Sequence, residues 1–381
     1  DGGFNPEIDM IGSGPWINTE FTPDVTMRWG RNPDWHLGPE RPYMDELIEP
    51  VIPEYANRLA QFQAGNLDQV GIQSDDVLGL KGDASYSHWQ WIAGDPGSTL
   101  NMMHYDHLYA LQGEPQTDQP WKDERVRQAT SMALDRAGKL DFEYNVNALK
   151  AAGLSPSEGW HNHIPVGQAR WWLDPRSADQ GESAKFFEYN VAESKKLMAA
   201  AGFEDGFDVP FIYNTNRYGS RFGDVQEVNI AFLEAVGIRP QVQIQDYSAE
   251  YTPMTRQGKF NGMMSGWNTP FPEAGSYSLV NFDPENPRNT ARVDRPDMWE
   301  KAKKQLTIVD VEERREALFE LQRLNAEKMY YIPMTYGGGS AFSAAQPWMK
   351  NIGVYRTQGY GFFSEMYTHY WIDQKIKKEY S

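Results

Sequence analysis

Val209-Pro210-Phe211-Ile212-Tyr213-Asn214-Thr215-Asn216-Arg217-Tyr218 carries an apolar run followed by amides and aromatics. The run predicts a strand, and the polar residues predict the turn that ends it. Asp224–Val236 has helical spacing and closes at Gly237. Pro240–Gln245 then reads as a strand, Ala249–Gln257 as a helix and Gly262–Trp267 as a strand. Strand, helix, strand, helix, strand in this order predicts an open α/β domain with a substantially parallel sheet.

The pattern extends in both directions. Upstream, Asp123–Asp135 is amphipathic, with Val126, Ala129, Thr130, Ala133 and Leu134 on one face. Asp123 at its start complements the helix dipole. Val191–Ala201 is helical and ends at Gly202, a C-cap signal. Lys150–Arg170 mixes Gly, Pro, Ser and His and is expected to be a surface loop. Downstream, Met298–Thr307 and Val311–Lys328 predict two helices, the second with a solvated Glu/Arg face, and Tyr330–Tyr336 a strand. Near the start, Pro15–Thr19 and Val25–Trp29 predict a hairpin turned at Phe21–Asp24. Strands at Leu47–Ile52, Leu67–Ile72, Ser87–Ile92 and Ser98–Met103, and a helix at Glu54–Ala64, complete a first body. The aromatic tail from Trp348 is expected to pack back on it.

Composition removes several classes of function. Lys plus Arg is 36 against 53 Asp plus Glu, a net charge of −17, which excludes the clustered basic surface of a nucleic-acid binder. No apolar run approaches the roughly 18 residues that a membrane-spanning helix needs. With 0 Cys there are no disulfides, thiolate nucleophiles or Cys-based metal sites, which suits an oxidising compartment. The 13 Trp are many, and Trp is rarely exposed without a use. Asp1-Gly2-Gly3-Phe4 shows neither an initiator Met nor a charged-then-apolar leader, so a targeting signal is expected outside this sequence.

Several segments, in order, resemble one family. Gly12-Ser13-Gly14-Pro15-Trp16 with Arg31-Asn32-Pro33-Asp34-Trp35 is similar to the opening signature of family 5 extracellular solute-binding proteins, the oligopeptide and dipeptide receptors of ABC importers. Arg58–Asp68, Asp123–Ala129 with Ala133-Leu134-Asp135-Arg136, Ala192–Gly202, Leu233–Ile238, and Gly258-Lys259-Phe260 with Ser265-Gly266-Trp267 resemble further motifs of that family. The resemblance implies an α/β, two-lobed periplasmic-binding-protein-like fold (type II, cluster C) with a ligand cleft between lobes. It implies lobe I over 1–103 (its middle segment), lobe II over 104–332 and a return to lobe I over 333–381, with 98–104 and 332–336 running side by side. It also implies that the family's N-terminal part is missing, and that a second chain or fragment could supply it.

A receptor cleft needs stacking surfaces and convergent polar groups. Ligands of open α/β sheets gather beyond the carboxyl ends of strands. Gly266, Trp267, Asn268, Phe271 and Glu273 follow one such strand, and Tyr213, Asn214, Asn216 and Tyr218 follow another. The resemblance places a peptide-binding Asp where this chain has Pro270, leaving Glu273 as the nearest acid. Tyr336 at a strand end and Trp172 of the Trp171-Trp172 pair are further candidates. His104-Tyr105-Asp106-His107 and His161-Asn162-His163 are metal ligands by type, but their spacing fits no metal motif. Gly337-Gly338-Gly339-Ser340 lacks the Lys and helix of a phosphate loop and reads as a turn.

The expectation is an extracytoplasmic receptor, periplasmic or extracellular. It is membrane-associated only through its ABC permease or a lipid anchor outside the sequence. It is expected to be a monomer without cofactor, metal or catalysis that captures oligopeptides. Trp-rich surfaces and the lost Asp make a short oligosaccharide the alternative ligand. A His-dependent metal hydrolase is the rival of a different class. The acidic surface does not concentrate acidic solutes, so a neutral or zwitterionic ligand is expected.

Overall fold

The computed structural model describes residues 12–38, 40–93, 101–105, 119–156, 158–268, 271–336, 342–352 and 366–380. For Ala93, Asn101, His104, Tyr105, Ser220 and Tyr336 the description is of the backbone. The expected strand start at 98–100, Asp106, His107, Pro270 and the turn Gly337–Ser340 lie outside the described residues. Two compact units emerge, one from Asp1–Asp95, Ala148–Ser157 and Gly338–Ser381, the other from Pro96–Asn147 and Glu158–Gly337. The excursion at Ala148–Ser157 differs from the expected segmentation, which kept 104–332 together. Leu149 explains it: its side chain is buried among Phe62, Val77 and Trp89 of the first unit.

In the first unit, β1 (Trp16–Thr22), β2 (Thr26–Arg31) and β3 (Glu46–Pro50) form an antiparallel meander. The hairpin turn falls where Phe21–Asp24 predicts it, with Thr22 opposite Thr26. α1 (Tyr55–Gln63) leads into β4 (Gln69–Ile72), α2 (Ser74–Gly82) and β5 (Gln90–Ala93). Phe62 of α1 is wholly buried, with Trp89 edge-on at 4.7 Å.

The second unit is built on a five-stranded sheet. Its strands begin with β6 (Asn101–Tyr105). Next come α3 (Glu124–Ala133), α4 (Arg136–Tyr144) and α5 (Val146–Ala151), the last crossing into the first unit. Asp123 caps α3 by accepting the Arg125 N–H at 2.9 Å. β7 (Gly159–Trp160) and α6 (Val191–Ala200) precede β8 (Phe207–Tyr213), α7 (Ser220–Glu234) and β9 (Ile238–Ile244). α8 (Thr252–Gln257) then leads to β10 (Met263–Trp267). α9 (Gly275–Phe282), α10 (Pro296–Lys304) and α11 (Val311–Lys328) follow, ending in β11 (Tyr331–Pro333) and β12 (Thr335–Tyr336).

The sheet order is β11-β6-β10-β8-β9. β8 is parallel to β9 and β10, whereas β6 is antiparallel to β10 and β11. The stretches expected to run side by side do so, with Met103 opposite Ile332. The predicted strand 330–336 is two strands, because Met334 separates residues bonded to β6 from residues bonded to β7. At the entrances to β8 and β9 the backbones nearly touch. A Cβ on Gly206, at φ +74°, would lie 1.9 Å from the Gly237 oxygen, so only glycine fits.

Two apolar clusters cover the sheet. Val126, Ala129 and Ala133 of α3 join Met198, Phe211 and Met263 in one. Tyr277, Phe282, Met298, Leu318 and Tyr331 form the other. The expected surface loop over Lys150–Arg170 is corrected: His161, Asn162, His163 and Ile164 are buried. Hydrogen bonds permit this polar stretch to lie in the core. The His161 N–H donates to Met334 O at 3.0 Å, and Asn162 Nδ2 donates to Leu173 O at 3.0 Å and Gln180 Oε1 at 2.8 Å.

The chain returns to the first unit through β13 (Phe342–Ala345), the centre of the sheet β4-β13-β5. The tail contributes β14 (Met349–Lys350), paired with β15 (Trp371–Ile372).

Candidate ligand-binding site

β8, β9 and β10 are mutually parallel, so the loops leaving their carboxyl ends share one edge of the sheet. β9 lies on one side of β8 and β10 on the other, which makes the β8–β10 gap a topological switch point. Each loop delivers aromatic side chains there. Tyr218 comes from the loop after β8, Tyr247 and Tyr251 follow β9, and Trp267 ends β10. The Tyr218 and Trp267 rings lie 4.5 Å apart, Tyr218 and Tyr247 5.7 Å, and Tyr247 and Tyr251 stack at 5.9 Å. The depression they line also includes Gly266, Asn268, Arg256 and Arg288.

Hydrogen bonds hold the aromatics in place. The Trp267 N–H donates to Tyr218 Oη at 3.4 Å, and the Tyr251 hydroxyl donates to Ser265 O at 3.1 Å. Burial pushes the Tyr218 hydroxyl up to about 12 and the Tyr251 hydroxyl well above the ordinary phenol value. Both are therefore neutral at physiological pH. Trp267 remains 46% exposed, an indole face backed by aromatic rings and open outward. Such a face stacks on planar or apolar ligand surfaces.

Gly266 permits this assembly. A Cβ there would sit 2.1 Å from Tyr251 Oη. Gly266→Ala should displace Tyr251, break its bond to Ser265 and lower stability by about 1–3 kcal/mol, the usual range for overpacking. Urea unfolding measures this, and a loss below about 0.5 kcal/mol would show that Tyr251 has room to move.

The structure brings four of the expected residues together: Gly266, Trp267, Asn268 and Tyr218. Asn216 serves the site indirectly, donating to Asp246 Oδ2 at 2.7 Å and accepting the Tyr247 N–H at 3.0 Å, which ties two of the loops. Tyr213 and Asn214, expected to touch ligand, are buried at 2% and 0% exposure, because β8 ends inside the core rather than at the surface. Phe271 packs edge-on against Tyr277 at 5.1 Å. Glu273 is engaged: it accepts the Gly275 N–H at 2.9 Å and pairs with Arg314. Trp172 donates from Nε1 to Trp160 O at 3.1 Å, away from the depression. Tyr336 is placed by its backbone, opposite Gly159.

His161 and His163, the histidines weighed as metal ligands by type, are both buried. Desolvation pushes each imidazole down to about 3, helped at His161 by the Lys139 charge. The His163 ring stacks on Phe282 at 4.5 Å. No group of three or more metal-ligating side chains occurs among the described residues.

The family model for bacterial extracellular solute-binding proteins, family 5 Middle, matches residues 1–289. The chain belongs to this family. It is 26% identical over 275 residues to the oligopeptide-binding protein AppA of Bacillus subtilis, covering 69% of this chain and 45% of AppA. It is 23% identical to di/tripeptide-binding protein 2 of Pseudomonas aeruginosa, covering 91% and 59% of the two chains. This family member therefore spans about half the length of the curated relatives it matches. Its fold matches the periplasmic binding protein DppA of Helicobacter pylori, solved with the peptide STSA, at a TM-score of 0.72 and 16% identity, covering 95% and 63% of the chains. That likeness shows the periplasmic-binding-protein fold. Among the described residues no helix is long and apolar enough to cross a membrane.

Tyr247, Tyr251, Arg256 and Arg288 are site residues that the sequence reading passes over. Tyr247 and Tyr251 are four apart just after a strand, a signal that was present but reads equally as a core stripe.

Proposed function

We propose that this chain is the solute-capturing component of an ABC importer, outside the cytoplasmic membrane, and that its ligand is a short peptide. The observation that carries the reading is the half-exposed Trp267 indole, held against Tyr218 where three parallel strands end. Relatives named for oligopeptide and di/tripeptide binding support the ligand class. In this reading the two compact units are the two lobes of the receptor. The permease is the partner, and membrane association runs through it or through a lipid anchor. The site binds and releases without catalysis: the pocket offers donors and stacking surfaces, with neither a nucleophile–base pair nor a metal set among its lining residues. An exposed indole also suits a pyranose face, so a short oligosaccharide is the second reading.

Trp267→Ala tests the site. The substitution removes aromatic contact and water exclusion together, and should weaken binding by about 2 kcal/mol or more, roughly thirtyfold. The measurement is titration calorimetry with the solute recovered from the purified protein, on a variant whose circular dichroism stays native. Unchanged affinity in a folded variant would move the ligand elsewhere.

A further inference from the structure

We propose that the depression beyond β10 contains a carboxylate subsite, with Arg256 and Arg288 as its cationic pair and the Asn281 amide as a third donor. This rests on the receptor reading above and names the chemistry of the ligand group held there. All three side chains line the same depression as Trp267. The two guanidinium groups are close enough that, after burial, the charge of Arg288 is the largest influence lowering the Arg256 pKa. Neither has an ion-pair partner among the described carboxylates, although the chain has 53 acidic residues against 36 basic ones. Other arginines are engaged: Arg295 pairs with Asp297 at 2.7 Å, Arg314 pairs with Glu273, and Arg292 donates to the main-chain oxygens of Asn289, Thr255 and Arg256. Two unpaired like charges in one recess are unfavourable until an anion joins them.

Both arms are held before any ligand arrives. Buried Arg292 donates to Thr255 O at 3.2 Å and Arg256 O at 2.9 Å, fixing the main chain that carries Arg256. On the other side, Asn289 Nδ2 donates to Asp283 O at 3.1 Å and Val293 O at 2.8 Å, and Tyr331 Oη donates to Asn289 Oδ1 at 3.0 Å. That framework fixes the loop bearing Arg288. Asn281 is 1% exposed; its Oδ1 accepts from Asn268 Nδ2 at 3.2 Å, while its own Nδ2 has no partner among the described residues. A buried donor left unmade is costly, and a carboxylate oxygen is the acceptor it lacks. A carboxylate offers two oxygens to the forked guanidinium donors.

The net charge of −17 does not oppose this. Exposed charges beyond a Debye length of about 8 Å are screened at physiological salt, so the nearest charges decide. A zwitterion carries the carboxylate the pair needs without net repulsion from the rest of the surface.

The test uses the full chain labelled with 15N, reading Arg Nε–Hε signals assigned by their loss in Arg256→Gln and Arg288→Gln. Sodium acetate is titrated against acetamide at constant ionic strength. Acetate should move both signals saturably and acetamide should not, and Arg288→Gln should weaken the response at Arg256 tenfold or more. An acetate response no larger than that of acetamide, or one shared equally by exposed surface arginines, would overturn the subsite. A second arm measures Tm with a tetrapeptide pool bearing a free carboxyl terminus, the same pool amidated, and an amidated pool with one internal Glu. Stabilisation by the free-acid or Glu pool, but not by the plain amide, supports the subsite and tells a terminal from a side-chain carboxylate. Equal stabilisation by all three overturns it and leaves the receptor reading standing. No stabilisation by any pool, beside an acetate response, sinks the peptide reading and supports the subsite.

Discussion

Between pH 6.5 and 4.5 the protein should lose about 5 kcal/mol of stability from two histidines alone. His161 and His163 are buried as neutral rings with pKa values pushed down to about 3, against an ordinary 6.5 in the unfolded chain. Below 6.5 the unfolded chain takes up protons that the native state refuses. The stability is therefore complete above pH 6.5 and is lost as the pH falls towards 3. Each histidine contributes about 1.4 kcal/mol per pH unit, a large share of a native margin of about 5–15 kcal/mol. Urea midpoints measured across this range should fall steadily. His163→Phe, which keeps a flat ring against Phe282, should remove about half of the slope. A midpoint that does not change with pH between 6.5 and 4.5 would mean that the rings are protonated in the folded state.

Arg136→Met should cost about 3 kcal/mol or more. The Arg136 guanidinium is 1% exposed, and burial alone lowers its pKa to about 9. It donates to Pro333 O at 3.1 and 3.0 Å, to Ser131 O at 3.0 Å, to Phe187 O at 3.2 Å and to Ser131 Oγ at 2.8 Å. Removing it relieves one buried charge but leaves three main-chain carbonyls without that donor, each worth about 1–3 kcal/mol. Three such losses outweigh the relief. Arg136→Lys should recover only part, because an ammonium cannot span the fork. Chemical denaturation gives the number, and a loss under about 1 kcal/mol would show that the carbonyls find other donors.

The same residue shows what was legible. The Asp135-Arg136 pair is part of the family resemblance, and the structure supplies its reason: Asp135 caps α4 by accepting the Gly138 N–H at 2.9 Å, while Arg136 fastens β11. Elements with strong local signals were readable, as in Val311–Lys328, where Asp310 caps and Leu318, Leu321, Gln322, Asn325 and Ala326 make one buried stripe. The burial of 161–164 was not, because a polar stretch becomes core only through partners at Leu173, Gln180 and Met334. That Trp267 and Tyr218 meet was legible, because the loops leaving parallel strands of an open α/β sheet share one edge. That Arg256 and Arg288 line one depression was not, since one lies on α8 and the other beyond α9, with β10 between them in sequence. Glu273 was visible as an acid, but its ion pair with Arg314 was not, because the two residues are brought together only by the fold.

Native mass spectrometry of the full chain, purified without denaturation, tests the central claim most directly. The account predicts a bound solute of a few hundred daltons or more, released by partial unfolding, that raises Tm when returned to the emptied protein. Fragmentation should show amide bonds; a sugar mass would select the oligosaccharide reading. A protein that carries no solute and shows no ligand-dependent Tm shift with either peptide or oligosaccharide pools would contradict the account.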